Sequence, residues 1–330
     1  MKEKYENSLQ EALSAIPDGT FELKQYNDEN TYTPLFVEQF TTHTRGKGHI
    51  DAFLLFPGIE LSHHQYLAEQ VSFQHEAKDF VLEINHCRKG RIGWNMRNGE
   101  SVYFGAGDLC LHSMASCAES EMLLPLGYYE GVSVTVDLRE LKENCPEILR
   151  EANFDPHIVY QKFCVENSPF GVPANSTIDS IFSFLYDLPE RLRLPYYKLK
   201  AQEILLYLLQ IEPNTARQLT RYEYQQTETI KEIRNFLIQH LDERFTIEEL
   251  AKRYLMNTSS LKSIFKAVYG MPIASYVKEY RIRHAMQLLR ETDDNIAEIA
   301  KKVGYETQGK FTKAFKNTTQ ILPTEYRKLY

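Results

Sequence analysis

Polar side chains near the C-terminus have a spacing that places them together on one face of a predicted helix. In KVGYETQGKFTKAF, the apolar residues Phe311 and Phe315 mark one face of a helix. Gln308, Gly309 and Lys313 lie on the opposite face. A glutamine amide can form two hydrogen bonds with adenine, and a lysine can donate to guanine or to a phosphate. If this helix enters a groove of DNA, we expect Gln308 and Lys313 to contact bases.

A similar segment occurs earlier in the chain, and its polar face carries shorter side chains. Ser259 and Ser263 lie on the helix face that would point into a DNA groove. Their short hydroxyl groups extend little from the backbone, so we expect this helix to make fewer contacts with bases. The lysines of the two helices are interpreted as phosphate contacts, with a solvated helix face as the alternative. They are Lys262, Lys266 and Lys316.

A helix-turn-helix could hold these side chains, and its pattern occurs twice. FTIEELAKRYLMNTSSLKSIFKAVYG and DNIAEIAKKVGYETQGKFTKAFKNTTQ each contain an acidic residue, a small residue, a short polar turn and a second helix with a Phe-Lys pair. The small residues, Ala251 and Ala300, suit a close crossing of two helices. Gly304 permits a left-handed turn in the second unit. Leu255 occupies that place in the first unit, which predicts a turn that is strained or built differently.

Two further patterns predict where the first unit begins and how the units are connected. Thr246 and Glu249 have the spacing of a capping box at the start of a helix. Between the units, one helix from about Pro272 to Arg290 would be about 28 Å long. Successive major grooves on one side of B-DNA are about 34 Å apart, so one chain could place two helices in adjacent grooves.

The region from about Thr229 to Tyr330 resembles the DNA-binding domain of the AraC/XylS transcription regulators. The resemblance rests on LAKRYLMNTSSLKSIFKAVYG, YRIRHAMQLL, IAEIAKKVGYETQGKFTKAFK and the closing PTEYRKL. It implies an all-α domain of seven helices that binds double-stranded promoter DNA, works with RNA polymerase and usually activates transcription. Two residues depart from the family pattern. Gln320 replaces the usual glycine in the last turn, and Ser263 stands where arginine is frequent.

The resemblance also implies which residues contact bases. The family's base-contacting positions fall on Ser259, Ser263, Gln308, Gly309 and Lys313. For Gly309, two alternatives remain open. The missing side chain could let the helix approach the bases closely, or it could leave that position unread.

The charge of the chain is unevenly distributed. Residues 226–330 contain 18 basic and 13 acidic side chains, whereas residues 1–225 contain 20 basic and 32 acidic ones. A basic C-terminal region is expected where one end of a protein meets a polyanion, and a merely more basic surface is the alternative.

The N-terminal half reads as short strands separated by turns. From about Pro57 to Cys164, runs rich in β-branched and aromatic residues are bounded by RKG, RNGE and GAGD. The Asn98-Gly99 pair predicts a tight hairpin turn. The predicted strands are VLEINHC, IGWNM, SVYFG, DLCLHS and GVSVTV. They predict an all-β antiparallel barrel or sandwich, and FGAGDLCL resembles a segment of the family's cupin-like sensor domains.

Two helices follow the strands. TIDSIFSFLYDL has a cap at Ser176 or Thr177, and PYYKLKAQEILLYLLQI is rich in leucine. Those leucines favour burial against the barrel or, alternatively, pairing with the same helix of a second copy in a homodimer. TARQLTRYEYQQTE reads as a polar linker. We therefore predict a cupin-like effector-binding or dimerisation domain (1–170), a helical connector and linker (171–225), and a double helix-turn-helix domain (226–330).

Side chains on the strands could line a pocket for a small-molecule effector, with ordinary core packing as the alternative. The candidates are Trp94, Tyr103, His112 and Tyr128. The histidines form no metal motif, because the adjacent His63 and His64 would point to opposite faces of a strand. We therefore expect no metal, no cofactor and no catalytic residues.

Composition favours a soluble chain in the cytoplasm. No apolar run approaches the roughly 18 residues of a membrane span, and the five cysteines contain no CxxC pair. We expect a cytoplasmic transcription regulator, an activator, controlled by an effector or by dimerisation. Two alternatives are a barrel enzyme fused to a DNA-binding tail, and a barrel that only dimerises.

Overall fold

The structure is a computed structural model that describes most of the chain as two compact units, Met1–Glu223 and Tyr224–Tyr330. The described residues are 9–26, 39–40, 46–74, 77–96, 99–117, 120–164, 169–211, 217–218 and 221–329. The first unit is rich in β-strands, and the second consists of helices. The predicted order of a cupin-like N-terminal domain, a helical connector and an all-α helix-turn-helix domain is confirmed, and the N-terminal domain is β-rich and also contains helices.

The strands of the described residues all lie in the first unit. They are β1 Phe21–Tyr26, β2 Gln39–Phe40, β3 Gly46–Phe56, β4 Ile59–Ala68, β5 Gln70–Gln74, β6 Val81–Asn95, β7 Glu100–Gly105, β8 Leu109–Ser113, β9 Glu121–Leu123, β10 Tyr129–Asp137, β11 Phe170–Val172, β12 Arg217–Gln218 and β13 Tyr222–Glu223. The main sheet has the order β1-β3-β4-β10-β6-β8-β11-β12. Apart from the parallel pair β1–β3, its neighbours are antiparallel.

The helices of the first unit precede, connect or follow its strands, and those of the second unit form the whole of its regular structure in the part described. After a helical stretch at residues 9–12, the first unit contains α1 Met114–Cys117, α2 Leu138–Glu143, α3 Glu147–Glu151, α4 Pro156–Phe163, α5 Ser176–Phe182, a 3-10 helix at Ser183–Leu185 and α6 Glu190–Gln210. In the second they are α7 Tyr224–Gln239, α8 Ile247–Arg253, α9 Thr258–Tyr269, α10 Ile273–Glu291, α11 Ile296–Lys302, α12 Gln308–Thr319 and α13 Pro323–Leu329.

The long strand β6 corrects one sequence-based prediction. RKG was expected to separate two strands, but β6 runs through it without a break. Gly90 has a φ of +89°, and the register of the β10–β6 pair shifts between Glu130 and Gly131. Turn-forming residues therefore mark an irregularity inside a strand. The bend lets the first part of β6 pair with β10 and β8, and the second part with β7 and β9.

Several predicted boundaries also differ from the structure. Residues 138–163, expected to be part of the strand region, form α2 to α4, and the polar linker ends where α7 begins at Tyr224. The cap of α5 is Asn175, whose side chain accepts from Thr177 N and Ile178 N, both at 3.0 Å. The predicted hairpin turn joins β6 to β7. Gly99 has a φ of +82° there, and Asn98 lies outside the described residues.

The main sheet has two buried faces. One packs against α2 to α6 and contributes Leu61, Ile84 and Val134 to a core that also contains Leu205 of α6. The other face turns towards the strands that pair with the second part of β6. Burial of α6 against the sheet is therefore observed. None of the helices in the described residues is long and apolar enough to cross a membrane.

Candidate DNA interface

Each helix-turn-helix unit of the second domain begins with a capping box. Thr246 Oγ1 accepts a hydrogen bond from Glu249 N at 3.1 Å, and Glu249 Oε2 accepts one from Thr246 N at 2.7 Å. Asn295 and Glu298 make the same reciprocal pair at 2.9 Å in both directions. These bonds satisfy backbone donors that the first turn of a helix leaves unpaired. The predicted cap of the first unit is confirmed, and the second unit has an equivalent one.

The second helix of each unit, α9 or α12, has one buried and one exposed face. Leu261 and Phe265 of α9, and Phe311 and Phe315 of α12, are fully buried. The residues predicted to contact DNA are exposed on the remaining surface. They are Ser259, Lys262, Ser263, Lys266, Gln308, Gly309, Lys313 and Lys316. The packing of each helix thus leaves these eight residues accessible to a ligand.

The exposed faces of the two helices differ in chemistry. The Ser263 hydroxyl donates to the carbonyl oxygen of Ser260 at 3.1 Å, so it is bonded to its own helix. Gln308 and Lys313 carry longer side chains, and Gly309 leaves the surface between them open, with no atom within 4 Å of an added Cβ. The α12 face can therefore donate and accept hydrogen bonds farther from the backbone than the α9 face can.

The turns of the two units share a hydrogen bond but differ in strain. Met256 N donates to Ala251 O at 2.9 Å, and Tyr305 N donates to Ala300 O at 2.8 Å. The residue before each donor is left-handed, with a φ of +53° at Leu255 and +78° at Gly304. Of the two alternatives for Leu255, the strained turn is the one observed. The conformation costs a non-glycine residue about 1 to 2 kcal/mol.

The surroundings of these two turn residues explain their identities. The Leu255 side chain is 95% exposed, so it meets no obstacle. A Cβ on Gly304 would collide with the carbonyl oxygen of Leu241, which lies between α7 and α8. Glycine is therefore required at 304 by close packing, whereas at 255 a side chain fits.

The last turns of α9 and α12 end alike although their sequences differ. Gly270 has a φ of +78°, and Gln320 has a φ of +69°. Each donates its backbone N–H at 2.8 Å to a carbonyl oxygen four residues earlier, that of Lys266 or Lys316. The departure at Gln320 from the family pattern therefore leaves the left-handed helix end unchanged, at the conformational cost of a non-glycine residue.

In the N-terminal unit (Met1–Glu223), the four candidate pocket residues are buried, and two of them, Trp94 and His112, are in direct contact. The rings of Trp94 and His112 meet edge to face with 5.1 Å between their centroids. The Tyr103 ring covers Gly93, which lies on the opposite face of β6 from Trp94 because neighbouring residues alternate. The Tyr128 carbonyl packs against Gly90 in the bend of β6.

A row of buried polar side chains surrounds His112 and was missed by sequence reasoning. Asn85 Nδ2 lies 3.0 Å from His112 Nε2, and Glu83 Oε2 lies 3.3 Å from the same nitrogen. Ser133 donates to Asn85 Oδ1. As whole residues, the members of this row are at most 7% exposed. The available signal was the alternation of Glu83 and Asn85 with apolar residues along VLEINHC.

A second imidazole lies on the same face of the sheet. His64 Nε2 is 2.7 Å from Ser62 Oγ, and His64 Nδ1 is 2.6 Å from Tyr66 OH. Burial lowers the pKa of His64 to about 3, so the ring is neutral at physiological pH. His63 packs against Tyr186 on the helix-covered face, which confirms that the adjacent histidines point apart. Within the described residues, no group of three or more His, Cys, Asp or Glu side chains could hold a metal.

Comparison with known proteins identifies the family. Residues 250–329 match the family model described as "Helix-turn-helix domain". The chain is 31% identical over 104 residues to the HTH-type transcriptional activator RhaR of Mannheimia succiniciproducens, covering 32% of this chain and 38% of RhaR. It is 30% identical over 102 residues to the transposon Tn10 TetD protein of Escherichia coli, covering 31% of this chain and 74% of TetD. The chain belongs to the AraC/XylS family of transcription regulators.

The matched part of this AraC/XylS regulator is its helix-turn-helix region. The first curated relatives are matched over 15 to 38% of their own lengths. Among solved structures, the C-terminal domain of AraT, a response regulator from Geobacillus stearothermophilus, is 28% identical with a TM-score of 0.30. That alignment covers 31% of this chain and 85% of the AraT domain.

Proposed function

We propose that this AraC/XylS regulator binds two half-sites of promoter DNA with α9 and α12 and activates transcription together with RNA polymerase in the cytoplasm. The observation that carries the proposal is the pair of capped helix-turn-helix units with polar, exposed second helices. The α10 helix between them has 19 residues, which corresponds to about 28 Å. This length suits two helices in successive major grooves of one duplex.

Within this proposal, the exposed residues have two kinds of role. Gln308 and Lys313 read bases, and Lys266 contacts phosphates, as do Lys262 and Lys316. Ser259, Ser263 and Gly309 face the bases with little or no side-chain reach. The different lengths of the side chains on α9 and α12 support this division, because glutamine can make bidentate pairs with a base edge and serine has a single short hydroxyl.

Selection of bound fragments from a random DNA pool tests the proposed function. The full chain should enrich two short motifs whose centres lie about one helical turn, roughly 10 to 10.5 base pairs, apart. Enrichment of one contiguous short motif would contradict two working units. Reporter transcription from the selected site, with and without the protein, then tests activation.

We further propose that the N-terminal region, residues 1–170, binds a small polar effector beside the His112 row. Buried polar groups are unfavourable unless they are hydrogen-bonded, and this row collects hydroxyl, amide, carboxylate and imidazole groups on one face of a sheet. A ligand rich in hydroxyl or amine groups could exchange hydrogen bonds with Asn85, Glu83 and Ser133. Trp94 offers an apolar ring next to them.

A thermal-shift screen of polar metabolites tests this effector site. A true ligand at a hundred times its dissociation constant should stabilise the folded chain by about 2.7 kcal/mol and raise its melting temperature. Asn85→Leu, which keeps the side-chain size, should abolish the shift. The exposed substitution Lys24→Met on β1 serves as the control. A shift that survives in Asn85→Leu would place the ligand elsewhere.

We also propose that α6, in the connector region 171–225, pairs with a second copy. Leu192, Tyr196 and Leu199 recur at helical spacing and are 38%, 39% and 57% exposed, while the opposite face of α6 is buried in the core. Phe184, in the turn before α6, is 61% exposed. Apolar side chains that are aligned on one helix face are typical of a self-association surface, whereas hydrophobic residues scattered singly over a surface are not.

Leu199→Glu is expected to convert a dimer into a monomer in sedimentation experiments, because it introduces a charge into the apolar face. Ile158→Glu on α4 is a matched control, since Ile158 is 55% exposed on a different helix. A monomeric wild-type chain, or equal effects of the two substitutions, would contradict pairing through α6.

A further inference from the structure

The segment between α7 and α8 contacts the second helix-turn-helix unit through an arginine of α10. Arg281 Nη2 donates to the carbonyl oxygen of Leu241 at 2.5 Å and to that of Glu243 at 3.0 Å. The Arg281 guanidinium is half-buried and lies 6.0 Å from the centre of the Tyr305 ring. The Arg281 side chain therefore contacts both the loop that precedes the first helix-turn-helix unit and the turn within the second one.

Backbone packing reinforces this contact. The Leu241 carbonyl oxygen lies so close to Gly304 that a Cβ there would collide with it, and that Cβ would also be 2.8 Å from Arg281 Nη2. Leu241 itself is 7% exposed. The loop before α8, the middle of α10 and the turn before α12 thus meet at one point.

An ion pair at the surface joins the same two segments. Arg244 Nη2 lies 3.0 Å from Glu306 Oε1, and Glu306 also pairs with Lys310 in the first turn of α12. Both partners of the Arg244–Glu306 pair are more than half exposed, so solvent screens their attraction. The pair nevertheless links the loop that precedes α8 directly to the turn that orients α12.

The covalent connection alone leaves the two units free to pivot. α9 joins α10 through residues 270–272, and α10 joins α11 through residues 292–295. Each junction is a short turn whose backbone angles could change. A noncovalent contact between the two helix-turn-helix units restrains such a rotation, because the units are then connected at two places.

We propose that Arg281, with the Leu241–Arg244 loop and Glu306, fixes the angle between α9 and α12 and so sets the permitted spacing of the two DNA half-sites. The proposal rests on the proposed two-site DNA binding. Arg281 is a positioning residue in this proposal, because it acts on spacing through the loop and the turn. A shift of one base pair rotates a half-site by about one tenth of a turn, which a rigid pair of helices cannot follow.

Binding to a library of spacings tests the proposal in the full chain. The two motifs enriched by the wild type are placed at their selected spacing and at spacings changed by one, two and five base pairs. The wild type should lose affinity about tenfold on a change of one base pair, comparable to the loss of one good base contact. Arg281→Met should reduce this loss to about two- to threefold while binding each isolated half-site as the wild type does.

Two further variants keep the test decisive. Arg283→Met is the matched control, because Arg283 lies over the Tyr280 ring of its own helix, and it should keep the sharp spacing preference. Glu306→Gln removes the surface pair at an exposed position and should broaden the preference even if Arg281→Met fails to fold. A wild-type spacing profile in Glu306→Gln and in any folded Arg281→Met protein would overturn the inference. Failure of the wild type to select two motifs would instead contradict the proposed function.

Discussion

Gly304→Ala is expected to destabilise the DNA-binding unit by about 3 kcal/mol. Alanine at a φ of +78° is strained by about 1 kcal/mol or more, and its Cβ would collide with the backbone oxygen of Leu241, which cannot rotate away. Urea unfolding followed by far-UV circular dichroism measures the loss of helix in both units, so the part of the transition that differs from the Trp94 signal reports the C-terminal unit. The fluorescence of the single tryptophan, Trp94, measures unfolding of the N-terminal unit, Met1–Glu223, separately.

Gly309→Ala is the matched control for this substitution. Gly309 lies within α12, and no atom lies within 4 Å of an added Cβ. Alanine there should stabilise the unit by less than the roughly 1 kcal/mol of a helix interior, because Gly309 lies in the first turn of α12. Equal stabilities of the two variants would show that the close approach of Leu241 does not constrain position 304. Loss of the Trp94 signal together with the helical signal would show that the two units unfold as one.

Gln308→Ala is expected to reduce discrimination between bases at one or two positions of the selected site by about 1 to 3 kcal/mol. The Gln308 side chain is exposed at the start of α12, where a glutamine amide can pair with an adenine edge. Competition binding against sites changed at each position measures the effect. The loss should be confined to the positions that this side chain reads.

Lys266→Ala provides the comparison for phosphate contact. It should weaken binding to all DNA sequences and reduce the slope of log affinity against log salt by about one. Equal losses on specific and random DNA for Gln308→Ala would overturn its assignment to base reading.

Gly309→Gln distinguishes the alternatives for that glycine, since an altered base preference is expected only where position 309 faces the bases.

Much of the DNA-binding unit could be predicted because its determinants are local. Helical spacing identified the buried faces of α9 and α12, and the Thr246–Glu249 pair marked the start of the first unit. A cap is made by residues three positions apart, so it is visible in the sequence. Leu255 was recognised as standing at the turn position for the same reason, whereas the choice between a strained and a differently built turn needed the structure.

The N-terminal unit, Met1–Glu223, was predicted less completely, because the same residue types occur in turns and inside strands. The RKG segment has turn chemistry, yet Gly90 lies inside β6, where pairing with β10 continues across a register shift. The aromatic residues suggested a pocket, but strand register placed Tyr103 and Trp94 on opposite faces. A change of one residue in register exchanges the two faces of a strand, and register is set by partners distant in sequence.

By itself, the sequence determined the family, the two repeated helix-turn-helix units and the exposed residues of their second helices, because periodicity and capping act over a few residues. The contact of Arg281 with Leu241 was decided only by the tertiary structure, as was the requirement for glycine at 304. Leu241 is separated from Arg281 by 40 positions and from Gly304 by more, and it meets them only when the helices pack. No local sequence pattern predicts such a contact, because it depends on how helices and loops that are distant in sequence pack together.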